Sequence, residues 1–132
     1  MHTSNRVTWI NHVGVTLLCI DLRASSRDEQ LAVLESYVIV LRQSTDLGLT
    51  VLVLGDADVQ FSPDLVSRAR AALSGHGTKI RRSALVGFEG ISKLAFDGHL
   101  SSERMLGKSV IDRGKHFPAE AKAAALAWLV SD

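Results

Sequence analysis

The stretch Thr50-Val51-Leu52-Val53-Leu54-Gly55 (TVLVLG) decides the fold. It is short, continuously apolar and rich in β-branched residues. A strand with one wet face alternates apolar and polar residues; a strand covered on both faces does not. TVLVLG therefore reads as a strand buried on both faces and ended by a glycine. Such a strand implies parallel neighbours, with helices packed on the sheet.

Before it, Ser26-Arg27-Asp28-Glu29 has capping-box spacing: the serine accepts from an early helix N–H and Glu29 reaches back to the cap. The helix it opens should place Leu31, Leu34, Val38 and Leu41 on its core face and end near Ser44, before Gly48. Earlier still, Arg6 to Val13 (RVTWINHV) and Val15 to Leu22 (VTLLCIDL) have strand composition, with Gly14 between them. Two strands joined so closely imply an antiparallel hairpin.

After TVLVLG, Ser62-Pro63-Asp64 starts a second helix with a capping serine, a proline at the first helical position and an acid at the positive dipole end. Leu65, Ala69, Ala72 and Leu73 give its apolar stripe, and Gly75-His76-Gly77 stops it. Ile80 to Val86 (IRRSALV) is the next strand. A helix is expected from about Ile91 to Leu106, then a short edge strand within Ser109 to Phe117. Pro118 opens a last helix with Ala121, Ala125, Trp128 and Leu129 on one face. The order is ββαβαβαβα: a single α/β domain over residues 1–132, with a mixed sheet of about five strands and four helices.

Composition narrows the function classes. The 132 residues carry 15 basic and 14 acidic side chains, a net charge of +1. That balance gives no global attraction to nucleic acid or to an anionic membrane. No apolar run is long enough to span a bilayer. The opening MHTSNRVTW lacks the apolar core of a signal peptide, so a cytoplasmic location is expected. The single cysteine, Cys19, lies in an apolar strand, where a buried inert thiol is the default. The five histidines show no His-x-x-x-His pair, and no metal ligand or cofactor is assigned. Lys79, Arg81 and Arg82 form a small basic cluster that reads as a solvated face.

The stretch Val86-Gly87-Phe88-Glu89-Gly90-Ile91-Ser92-Lys93 (VGFEGISK) joins a strand to a helix. Its glycines and lysine do not have P-loop or dinucleotide-fold spacing. Gly87 and Gly90 read as a tight turn, although N–H groups at a helix start are able to meet an anion. Asp56 and Asp58 follow a buried strand at its carboxyl end, where ligands of open α/β sheets gather. With Asp21 they suggest a Mg²⁺ site and hence a metal-dependent phosphoryl-transfer enzyme. No supporting lysine, serine or threonine pattern accompanies them, and such acids also suit a turn.

Ser83-Ala84-Leu85-Val86-Gly87 (SALVG), Phe117 closing a short strand, and Ala124-Ala125-Leu126-Ala127-Trp128-Leu129 (AALAWL) together resemble the SpoIIAA-like family, which belongs with the bacterial STAS and Sec14-like domains. VLVLGDADVQFSP, residues 51–63, is similar to the family's second half-sheet and the loop after it. The resemblance runs from about Val15 to Val130 and rests on core and turn positions. It implies a STAS-like fold and a non-catalytic regulatory module that binds a protein: a kinase, an anti-sigma-like factor, or a second copy of the chain. In anti-sigma-factor antagonists of this superfamily, a serine in an Asp-Ser-Ser-Gly motif starts the helix after the third strand and is phosphorylated. Here Phe61-Ser62-Pro63-Asp64-Leu65 stands in that place. The motif is absent, and Ser62 is the one serine near it. The Sec14-like branch implies the alternative, a small apolar ligand or lipid held under the helices after the third and fourth strands. Phe61, Phe88, Phe96 and Trp128 packed inward would favour the interaction module; an open apolar cavity would favour the ligand binder.

Overall fold

The computed structural model describes residues 4–88 and 114–131. They form β1 (Val7–His12), β2 (Val15–Asp21), α1 (Arg27–Gln43), β3 (Leu49–Leu54), α2 (Pro63–Leu73), β4 (Ile80–Val86), β5 (Gly114–Phe117) and α3 (Lys122–Val130). The five strands lie side by side in their sequence order. β1 and β2 are an antiparallel hairpin, and β2 to β5 run parallel. The chain is thus α/β with a mixed five-stranded sheet and, among the described residues, three α-helices. The helix expected at 91–106 lies outside the described residues. The last helix starts later than expected, because a 3₁₀ turn at Ala119–Ala121 stands between the extended Pro118 and Lys122.

Every residue of β3 is buried. Successive side chains point to opposite faces of a sheet, and each face has its own core. Val51 and Val53, with Leu18, Ile20 and Leu85, face α1 and α2. Leu52 and Leu54, with Leu17, Ala84 and Val86, face Ala125 and Leu129 of α3. Right-handed crossovers between sequentially ordered parallel strands put their helices on one side, as observed for α1 and α2.

The capping box of α1 forms as expected: Ser26 Oγ accepts from Glu29 N at 3.2 Å, and Glu29 Oε1 accepts from Ser26 N at 2.9 Å. The buried face of α1 differs from the expected one. Gln30, Val33, Ser36 and Leu41 are buried, while Leu31, Leu34 and Val38 are half-buried. The polar members are tolerated because they are hydrogen-bonded. Ser36 Oγ accepts from Ser4 N at 2.8 Å, and Gln30 Nε2 donates to Gln60 O at 2.9 Å.

The β1–β2 hairpin turns on two residues, Val13 (φ +52°) and Gly14 (φ +78°). Positive φ at both centres is the geometry of a type I′ turn, for which Asn-Gly is the preferred pair. Val13 is β-branched and 79% exposed, so nothing packed against it repays its left-handed backbone. Val13→Asn should therefore raise stability by about 1 kcal/mol, half or more of the usual left-handed penalty. The urea midpoint checks this; an unchanged or lower midpoint contradicts it.

The basic cluster is committed to helix ends. Lys79 Nζ donates to Leu41 O, near the C-terminus of α1, at 2.9 Å. Arg81 donates to Leu129 O at 2.9 Å and to Ser131 O at 2.6 Å. Arg82 donates to Trp128 O at 2.5 Å. Both arginines reach the same helix terminus even though they are sequence neighbours on a strand. The ladder accounts for this: Leu49 pairs with Ile80 but Thr50 with Arg82, so Arg81 is an extra, bulged residue. A bulge re-aims a side chain that would otherwise leave by the opposite face. Three cations thus answer the unpaired carbonyls and negative dipole ends of two helices.

Candidate functional site

α1 and α2 follow adjacent strands and share one face of the sheet. Their N-terminal turns are tied by Arg27 Nη2 to Asp64 Oδ2 at 2.5 Å, with Arg68 at 3.3 Å from the same oxygen. These guanidiniums, Arg27 first, hold the Asp64 carboxyl below its ordinary range. Beyond this tie the helices do not close on each other. Between them lies a cavity of about 150 Å³ that opens to solvent. Ile20, Leu22 and Val53 make its floor. Val33, Leu34 and Tyr37 line the α1 side, and Leu65, Ala69 and Leu73 the α2 side. Ala69 leaves the width where a larger side chain would have filled it.

Three polar residues reach the cleft: Gln30, Tyr37 and Arg70. Gln30 is 4% exposed, and its amide is engaged with the backbone at Gln60 and with Ser25 Oγ at 3.2 Å. The Tyr37 phenol is pushed well above its ordinary titration range by burial alone. Arg70, in the last turn of α2, is exposed and forms no salt bridge among the described residues. Phe61 closes one end of the cleft, its ring 6.2 Å from that of Phe88. Phe88 itself is buried.

None of the sequence candidates within the described residues, Asp56, Asp58, Ser62 and Gly87, lines this cleft. Ser62 caps α2: its Oγ accepts from Leu65 N at 3.1 Å, and Leu65 lines the cleft. Asp56 is a staple between two loops. Its Oδ1 accepts from Val59 N at 2.7 Å and Asp58 N at 3.0 Å, and its Oδ2 accepts from Ala24 N at 2.8 Å. Ala24 has φ +51°, so the staple also holds a left-handed alanine. Asp56→Ala should cost about 2–3 kcal/mol, since it leaves amides of two loops without their acceptor; thermal denaturation measures it, and a loss below about 0.5 kcal/mol would contradict the staple.

Asp58 is exposed in the same turn. Asp21 turns instead to Arg23, whose guanidinium meets both carboxylate oxygens at 2.9 Å and lowers its pKa. Among the described residues no group of three His, Cys, Asp or Glu side chains is placed to hold a metal ion. Gly87 has φ +89°, and its N–H donates to Phe117 O at 3.0 Å. Gly90 and Phe96 lie outside the described residues. Trp128 is half-buried on the opposite sheet face, 5.9 Å from Phe117. Cys19 is half-buried, with its thiol pKa raised chiefly by burial.

The cleft lies one helix earlier than the pocket that the Sec14-like alternative implies under the helices after the third and fourth strands. The signal that could have found it is the small side chain of Ala69 in the α2 stripe. No family model, curated protein or solved structure matches the chain. Among the described residues, no helix is long and apolar enough to cross a membrane.

Proposed function

We propose that this chain is a non-catalytic binding module whose ligand site is the apolar cleft between α1 and α2. The observation that carries this reading is an open, carbon-lined cavity of about 150 Å³ between the two helices on the sheet face they share. An apolar cavity of about that size is large enough to take up benzene. The occupant is accordingly a small apolar group of six to ten heavy atoms, about one ring or a branched chain, rather than a whole lipid.

Amide NMR with toluene as the probe tests it. Saturable shifts confined to Val33, Leu34, Ala69, Leu73 and their neighbours are expected, and Ala69→Leu should abolish them by filling the space. Shifts scattered over the surface, or an Ala69→Leu protein that responds like the parent, would remove the cleft from consideration.

A second reading, a regulatory protein-interaction module of the anti-sigma-antagonist type, is favoured by one observation. Ser62 both caps α2 and lies three residues before Leu65 of the cleft wall. A phosphate on Ser62 would add charge at the positive end of that helix and re-form its surroundings. Phosphate on Ser62 in protein taken from its own cells, and its disappearance in Ser62→Ala, is the expected result. The same variant should lose about 1 kcal/mol of stability through the cap. Protein that never carries phosphate in growing or stressed cells defeats this second reading.

A further inference from the structure

We propose that the cleft selects carboxylates: it holds the apolar part of a small acid between α1 and α2, with the carboxylate at Arg70. This rests on the ligand-site reading of the cleft and names its chemical class. Two features carry it. The cleft is carbon-lined nearly throughout, so it cannot discriminate among apolar groups beyond their size. Its polar contributors differ in what they have left to give. The Gln30 amide is already engaged with the neighbouring loop. Arg70 is different: it lines the cleft, is exposed, and forms no salt bridge among the described residues, whereas Arg27 and Arg68 share Asp64.

A guanidinium beside an apolar pocket matches an amphipathic anion. The carbon skeleton enters the low-dielectric cleft, and the carboxylate stays at the mouth, where Arg70 offers its planar fork of donors. A neutral ligand of the same shape gains the apolar contact alone. An amine of the same shape places like charge beside Arg70.

Phenylacetate, phenylacetamide and phenethylamine, titrated into the full chain and followed by amide NMR, make the test. Phenylacetate should bind about tenfold more tightly than the amide, the gain of one charge-assisted hydrogen bond at a solvent-exposed edge. The amine should bind most weakly. In Arg70→Gln, the acid and the amide should become equal, whatever the loss of the Arg70 carbon stem does to both. This exposed substitution tests charge without touching the core.

Equal binding of acid and amide to the parent protein would overturn the carboxylate selectivity and leave the cleft as an apolar site. Retention of the acid's advantage in Arg70→Gln would overturn the role of Arg70. Absence of localised shifts from all three probes and from toluene would overturn the cleft reading itself.

Discussion

Gly87→Ala should lose about 3 kcal/mol or more of folding stability, the sum of a left-handed backbone penalty and a backbone clash. Gly87 has φ +89°, and a Cβ built there would stand 2.4 Å from the carbonyl oxygen of Gly55. That oxygen belongs to the chain just past β3, where Gly55 N donates to Val86 O at 2.8 Å. Neither partner is able to retreat, because Gly87 N is itself bonded to Phe117 O. Gly75→Ala separates the two causes. Gly75 has φ +83° and nothing within 4 Å of its would-be Cβ, so it should lose only about 1–2 kcal/mol. Denaturant titration of both variants reads the difference. Equal losses would mean that the close approach of Gly55 and Gly87 carries no weight.

Leu129→Ala should lose about 3–4 kcal/mol, and Trp128→Ala less, about 2 kcal/mol, although tryptophan is the larger residue. Leu129 is 0% exposed and packs with Leu17, Leu52 and Ala84 across the α3 face of the sheet. A cavity there has little means of collapse. Trp128 lies at the border, half-exposed, with the Arg82 guanidinium 5.2 Å from its ring centre and Phe117 at 5.9 Å. Its loss is a surface contact and a cation–π pair, worth roughly 0.5–1 kcal/mol at exposed sites. Guanidinium unfolding with an unchanged m value measures both. A larger loss for Trp128→Ala would make the tryptophan the anchor of α3.

Much of the fold was legible because it is written locally. The continuous apolar run of β3 and the cap residues Ser26 and Ser62 each state their role within a few positions. The errors lie where distant residues decide. Gln30 reads as a surface residue of α1 until Gln60 O is brought to its amide. The core face of α1 therefore falls beside the one its leucines suggest. Lys79, Arg81 and Arg82 read as a solvated patch because nothing nearby announces the helix carbonyls they reach. Asp56 stands out in the sequence by its place at a strand end, but its partners at Ala24 and Val59 make it a staple. The cleft is a matter of missing volume, and a sequence records side chains rather than the gaps between them. Gly87 reads as part of a turn with Gly90, but nothing local says that Gly87 must press against Gly55.

The plain ordering of the sheet bears on how the molecule comes into being. Strand follows strand along the sheet in the order of the chain. A growing polypeptide would find each new strand's neighbour already in place, with no earlier strand to be displaced. The β1–β2 hairpin would offer the first open edge, and each crossover would extend it by one strand. α3 follows β5 and lies across β3 and β4, where the two β4 arginines take up its final carbonyls. Within these strands, growth would thus run as accretion from β1 toward β5, with α3 a latch that depends on the strands laid down before it.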